Sequence, residues 1–141
     1  MLGQPVSRVW FSDTPVFYLE LGRLKTWGQL RRDGSAMEKG EVTIFAGYAW
    51  RLERKASIAA GSGDGLRKRS AVADSLLGTT VSSAGVTGRI PELQLAFSNG
   101  IWLSTFATQQ GQPDWSVSFN LESPLHLCVE RGVISVDRRG S

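Results

Sequence analysis

Seven short apolar segments constrain this chain more than anything else in it: "VSRVWFS" (6–12), "PVFYLEL" (15–21), "EVTIFA" (41–46), "AWRLE" (49–53), "WSVSF" (115–119), "LHLCVE" (125–130) and "VISVD" (133–137). Each is rich in β-branched or aromatic residues, and turn-forming residues separate most of them. Such spacing predicts an antiparallel sheet that is rolled, bent into a half-barrel or folded into a sandwich. An eighth stretch, "LQLAFSNGIWLSTF" (93–106), reads as a hairpin because Asn99-Gly100 readily takes the positive φ values of a two-residue turn. That register sets Phe97 opposite Trp102 and Leu93 opposite Phe106 on the core face. Gln94, Ser98 and Thr105 then share the other face with Ala96, Ile101 and Leu103, which is expected to be partly covered. Arg131-Gly132 is the expected turn between the last two strands.

One segment breaks the β pattern. In "GDGLRKRSAVADSLLGTT", Leu66, Ala73, Leu76 and Leu77 fall on one helical face, Asp64 is placed to cap the start and Gly78 to end the helix. The fold class expected is therefore α+β, mainly antiparallel β, with one helix near residues 65–78 and a single domain over residues 1–141. Residues 28–40 and 107–114 are expected to be longer loops. Trp50, Trp102 and Trp115 are expected in the core.

At 41% hydrophobic and 21% charged residues, the composition is that of an ordinary globular chain, which argues against disorder and fibrous repeats. No apolar run is long enough to span a bilayer, and "MLGQPVSRVW" lacks the basic start and apolar core of a secretory signal. A single cysteine, Cys128, cannot form an internal disulfide, so a cytoplasmic protein with no membrane partner is expected. Charge is uneven: residues 1–70 carry 12 Lys and Arg against 7 Asp and Glu, whereas residues 71–141 carry 4 against 6. Such asymmetry suits a charged face meeting a partner of opposite sign.

Signatures of catalysis are weak. "GSGDGLRKR" (61–69) is a glycine-rich turn entering a helix, the type of element that cradles phosphate, but it fits neither GxxxxGK[ST] nor GxGxxG and Asp64 would repel an anion. Arg67, Lys68 and Arg69 oppose the helix dipole, which points to their being kept for a partner. His126 and Cys128 share one face of a strand with no orienting third group nearby in sequence, and one His and one Cys make a poor metal set. The carboxylates are scattered singly, and no GxSxG elbow occurs. No catalytic residue, cofactor or metal is expected. Arg23, Lys25, Trp27, Arg31 and Arg32 mix cations with an aromatic, the combination that holds nucleic acid, so a polyanion-binding module is the alternative. An enzyme of unrecognised type is the remaining alternative.

Gly3, Pro5 and Val6, then Trp50, Arg51, Gly61, Ser62 and Asp64, then Asn99, Gly100 and Trp115 form a series spanning most of the chain. In these features the sequence resembles a family of small, poorly characterised bacterial β-rich proteins, with Ala49 before Trp50 where many relatives carry Pro. In size and plainness the chain is also similar to the immunity proteins encoded beside bacterial toxins, including those of contact-dependent growth inhibition. What the resemblance implies is a protein that binds a cognate toxin domain and blocks it sterically and electrostatically. The expected contacts are Arg31, Arg32 and Asp33 together with Arg67, Lys68 and Arg69.

Overall fold

The computed structural model describes residues 1–11, 16–30, 36–47, 49–107, 115–120, 125–130 and 133–138, without the side chains of residues 27–30, 36–37, 130 and 137–138. Among them are β1 (Val6–Phe11), β2 (Phe17–Leu21), β3 (Lys25–Leu30), β4 (Ala36–Lys39), β5 (Val42–Ala46), β6 (Trp50–Glu53) and β7 (Ile58–Gly61). After α1 (Leu66–Asp74) come β8 (Val81–Thr87), β9 (Glu92–Phe97), β10 (Trp102–Thr105), β11 (Trp115–Phe119), β12 (Leu125–Glu130) and β13 (Val133–Arg138). The mainly antiparallel β class with a single helix is what the sequence leads one to expect. Among the described residues no helix is long and apolar enough to cross a membrane.

Two open antiparallel sheets carry the core. One has the order β1-β2-β5-β11-β12-β13 and the other β7-β6-β10-β9-β8, while among the described residues β3 and β4 pair only with each other. Period-two alternation explains the packing. Phe17, Leu19 and Leu21 of β2, Val42, Ile44 and Ala46 of β5, and Trp115 and Val117 of β11 are buried from the first sheet. Trp50, Leu52, Leu93, Leu95, Phe97 and Leu103 are buried from the second, and both sets belong to one cluster. The chain start ties the sheets together at one corner, where Gly3 N–H donates to Val81 O (2.8 Å) and Val6 N–H to Thr79 O (2.8 Å).

Several sequence expectations are corrected. Ala96, not Phe97, lies opposite Trp102, because Phe97 N–H donates to Ile101 O (2.9 Å) and Gly100 N–H to Phe97 O (3.0 Å). The loop is thus three residues, Ser98 to Gly100, with Gly100 at φ 85°, the turn-plus-bulge form. Moving the register by one residue exchanges the faces. Ile101, Leu103 and Thr105 point inward and are buried, while Trp102 is 41% exposed rather than in the core.

The helix runs only over Leu66–Asp74, and its N-cap is Gly65 with no side-chain cap. Asp64 instead accepts from Gly61 N–H (2.8 Å) and closes the preceding turn. Ala73 and Leu76 are buried, but Leu66 (58%) and Leu77 (47%) are exposed, so the buried stripe is narrower than the one predicted. Of the 28–40 stretch, expected as a loop, residues 28–30 end β3 and Ala36–Lys39 form β4, while residues 31–35 lie outside the described residues. Ile58–Gly61 and Val81–Thr87, too small-residue-rich to read as strands, pair as the outer strands of the second sheet.

Candidate functional site

The β6–β7 hairpin and the start of α1 build a cation-rich surface by simple alternation. Trp50 and Leu52 turn into the core, which sends Arg51 and Glu53 outward from the same strand. The hairpin tip closes with Arg54 N–H donating to Ser57 O (2.8 Å), leaving Arg54, Lys55 and Ser57 exposed and Ile58 60% exposed. Past β7, the Gly61–Asp64 turn reverses the chain so that α1 returns Lys68 to the same side.

Two open cavities lie here and share Arg51 and Ile58. One of about 210 Å³ is lined by Arg51, Glu53, Arg54, Lys55 and Ser57 along with Ile58. Its neighbour, of about 360 Å³, adds Ser62, Asp64, Lys68 and Phe106. Arg51 stands between them with Nε donating to Glu53 Oε2 (2.8 Å) and its guanidinium 5.3 Å from the centre of the Phe106 ring. The hydrogen bond from Arg51, helped by the Ser104 hydroxyl, holds the Glu53 carboxyl below its usual range against the opposing effect of burial. Lys68 Nζ lies 3.7 Å from Asp64 Oδ1, a loose exposed pair. Arg54, Lys55 and Arg67 have no side-chain hydrogen bond or ion pair among the described residues.

Of the residues expected from sequence, Lys68 lines the larger cavity, and Arg67 is exposed on the same helix. Arg69 turns inward, donating through Nε to Asp64 O (2.9 Å) with its guanidinium 5.0 Å from the Phe11 ring centre. Arg31, Arg32 and Asp33 lie outside the described residues, as does the side chain of Trp27. Sequence reasoning missed Arg51, Arg54 and Lys55. Their signal was the "WRLERK" alternation itself, in which the buried Trp50 and Leu52 dictate an outward Arg51.

A second polar assembly crosses the outer face of the six-stranded sheet. Arg8, Glu20, Thr43, Ser118 and His126 are successive cross-strand partners from β1 through β2, β5 and β11 to β12. Ser118 Oγ lies 2.6 Å from His126 Nδ1, and Cys128 Sγ lies 3.1 Å from Ser135 Oγ, so His126 and Cys128 each engage a serine of a neighbouring strand. The Ser118–His126 contact sits in strand interiors whose backbone N–H groups belong to the sheet ladder, and no amide pair there is free to stabilise an oxyanion. No group of three His, Cys, Asp or Glu side chains among the described residues is arranged to hold a metal ion.

Beside this row the aromatic faces are already used. Trp10 and Tyr18 stack at 3.7 Å, Arg8 covers Trp10 at 5.7 Å and Phe45 meets Tyr18 edge-on at 5.3 Å. They form a closed stack rather than a platform for bases. Burial first, and then the charge of Glu20, raises the Tyr18 phenol above its usual value of 10.0. The folded state holds this proton more tightly than the unfolded chain, so the stability it supports is intact below pH 10 and declines as pH rises through the folded value. Absorbance at 295 nm should show one phenol ionising late, and Tyr18→Phe should remove that transition.

No protein-family model, curated protein or solved structure matches the chain.

Proposed function

We propose that this chain is a cytoplasmic immunity protein that binds a cognate toxin domain and neutralises it by steric and electrostatic block. The observation that carries the reading is the surface of β6, β7 and α1. There four cations, Arg51, Arg54, Lys55 and Lys68, line the two cavities together with two carboxylates that are already engaged, Glu53 by Arg51 and Asp64 by Gly61 N–H and Lys68. A rigid two-sheet scaffold presenting such a field steers a partner of opposite sign and sets its orientation. Arg67 and Lys68, at the start of α1, oppose the helix dipole, and the helix has no acidic residue in its first turn to offset them. Their retention there at a cost to helix stability is the mark of residues that serve a contact.

The toxin face that meets this surface is acidic. A basic inhibitor cannot imitate phosphate, so inhibition here works by covering the toxin or its approach rather than by occupying a nucleic-acid site as a mimic. Co-expression with the C-terminal region of the protein encoded immediately upstream tests the reading: rescue of colony growth with copurification is expected. Death of the cells in the presence of abundant folded protein would remove it.

A further inference from the structure

We infer that Arg51 and the two cavities it divides form a receptor for an acidic, apolar-flanked peptide segment, with Arg51 gripping a partner carboxylate and Ile58 receiving the neighbouring apolar side chain. The inference deepens the proposed function and rests on its choice of face.

Arg51 has the chemistry for this. Its Nε is taken by Glu53, its planar group is steadied over Phe106, and its two terminal nitrogens have no hydrogen-bond partner among the described residues. Those nitrogens can meet a carboxylate bidentately, the arrangement that makes arginine selective for planar anions. Because the guanidinium is already ordered by its stack, less conformational freedom is lost on binding. Lys55 on one side and Lys68 on the other supply point charges for further carboxylates, one in each cavity.

Ile58 decides between a protein segment and nucleic acid. It lines both cavities and is 60% exposed between the cations, where an aliphatic side chain offers nothing to a stacked base but much to a leucine or phenylalanine. Two separate hollows also suit alternating side chains better than a continuous sugar-phosphate track.

Selection of random displayed dodecapeptides on the intact protein tests this. Enrichment of sequences with Asp or Glu beside Leu, Ile or an aromatic residue is expected, with amide shifts on titration of the best peptide centred on Arg51, Ile58 and Lys68. Arg51→Gln should weaken that peptide about tenfold, as loss of a bidentate charge-assisted contact does. Should Arg51→Gln fold poorly, Lys55→Glu carries the test, since its side chain bonds to nothing among the described residues, and weakening of several-fold is again expected. Selected peptides without acidic residues, or shifts on another face, would overturn the inference. So would tighter, steeply salt-dependent binding of a 12-nucleotide single strand at these residues, which would make the receptor one for nucleic acid. A failed growth rescue alongside acidic-peptide selection would remove the toxin reading and leave the receptor standing.

Discussion

Trp50→Ala is expected to destabilise the protein by about 3–5 kcal/mol, the range for removing a large aromatic from a packed core. Trp50 has 0% of its surface exposed and joins the two sheets. Its ring lies 4.9 Å from Phe17 and 6.0 Å from Phe11, both carried by the opposite sheet. Truncation leaves a void between layers whose backbones are fixed by their own ladders, so the site cannot collapse to fill it. The urea midpoint should fall with little change in the slope of the transition. A double-mutant cycle with Phe17→Leu should show coupling of about 0.5–1.5 kcal/mol from the ring pair itself. Trp50 also shapes the candidate receptor. Its N–H donates to Ser62 Oγ (3.2 Å) and its carbonyl accepts from Ser62 N–H (2.9 Å), which fixes the wall of the larger cavity next to Arg51. Stability within 1 kcal/mol of the parent would show that the two sheets are not packed through this residue.

The burial of Trp50 was legible because alternation is a local property: Trp50 and Leu52 inward requires Arg51 outward, and the sequence shows all three. Strand positions were legible for the same reason in β1, β2, β5, β6, β11, β12 and β13. What escaped was set by contacts between segments. Asn99-Gly100 favours a two-residue turn by propensity, yet the loop takes a third residue, which lets Leu93, Leu95 and Phe97 face the core with Ile101 and Leu103. The large apolar residues decide the register, and Trp102 is displaced to the surface. Val81–Thr87 holds Ser, Ala and Gly at most positions and forms a strand only because β9 offers a ladder. The candidate site escaped in a similar way. The basic run at residues 67–69 stands out in sequence, but only the return of α1 beside β6 and β7 reveals that Lys68 shares a cavity with Arg51 and that Arg69 does not.

Glu20 is the clearest case of a residue whose role no pattern announces, and it gives the second large effect. In "FYLEL" it alternates with Leu19 and Leu21 and so reads as a solvent-facing carboxylate, yet it is 1% exposed. The chain between β4 and β5 closes over it. Glu20 Oε1 accepts from Gly40 N–H (3.1 Å) and from the Thr43 hydroxyl, and Oε2 accepts from Trp10 Nε1–H (3.2 Å). The close approach requires glycine at position 40, where a Cβ would collide with the Leu21 carbonyl. Asn120 strengthens the same corner by donating to Gly40 O (3.0 Å) and Thr43 Oγ1 (2.9 Å). Arg8, the cross-strand partner of Glu20, lies over Trp10 and donates to Glu38 O (3.2 Å), so neutral donors rather than a cation solvate the carboxylate. Glu20→Ala strands these donors, each at about 1–3 kcal/mol, and should destabilise by about 3–5 kcal/mol in urea unfolding. Glu20→Gln keeps one acceptor oxygen but turns an NH2 toward a donor, so a smaller loss of about 1–2 kcal/mol is expected. That ordering separates hydrogen-bond loss from loss of charge. Equal losses in the two variants would mean that the negative charge holds the corner, and a negligible loss in Glu20→Ala would mean that water reaches these donors when the carboxylate is gone.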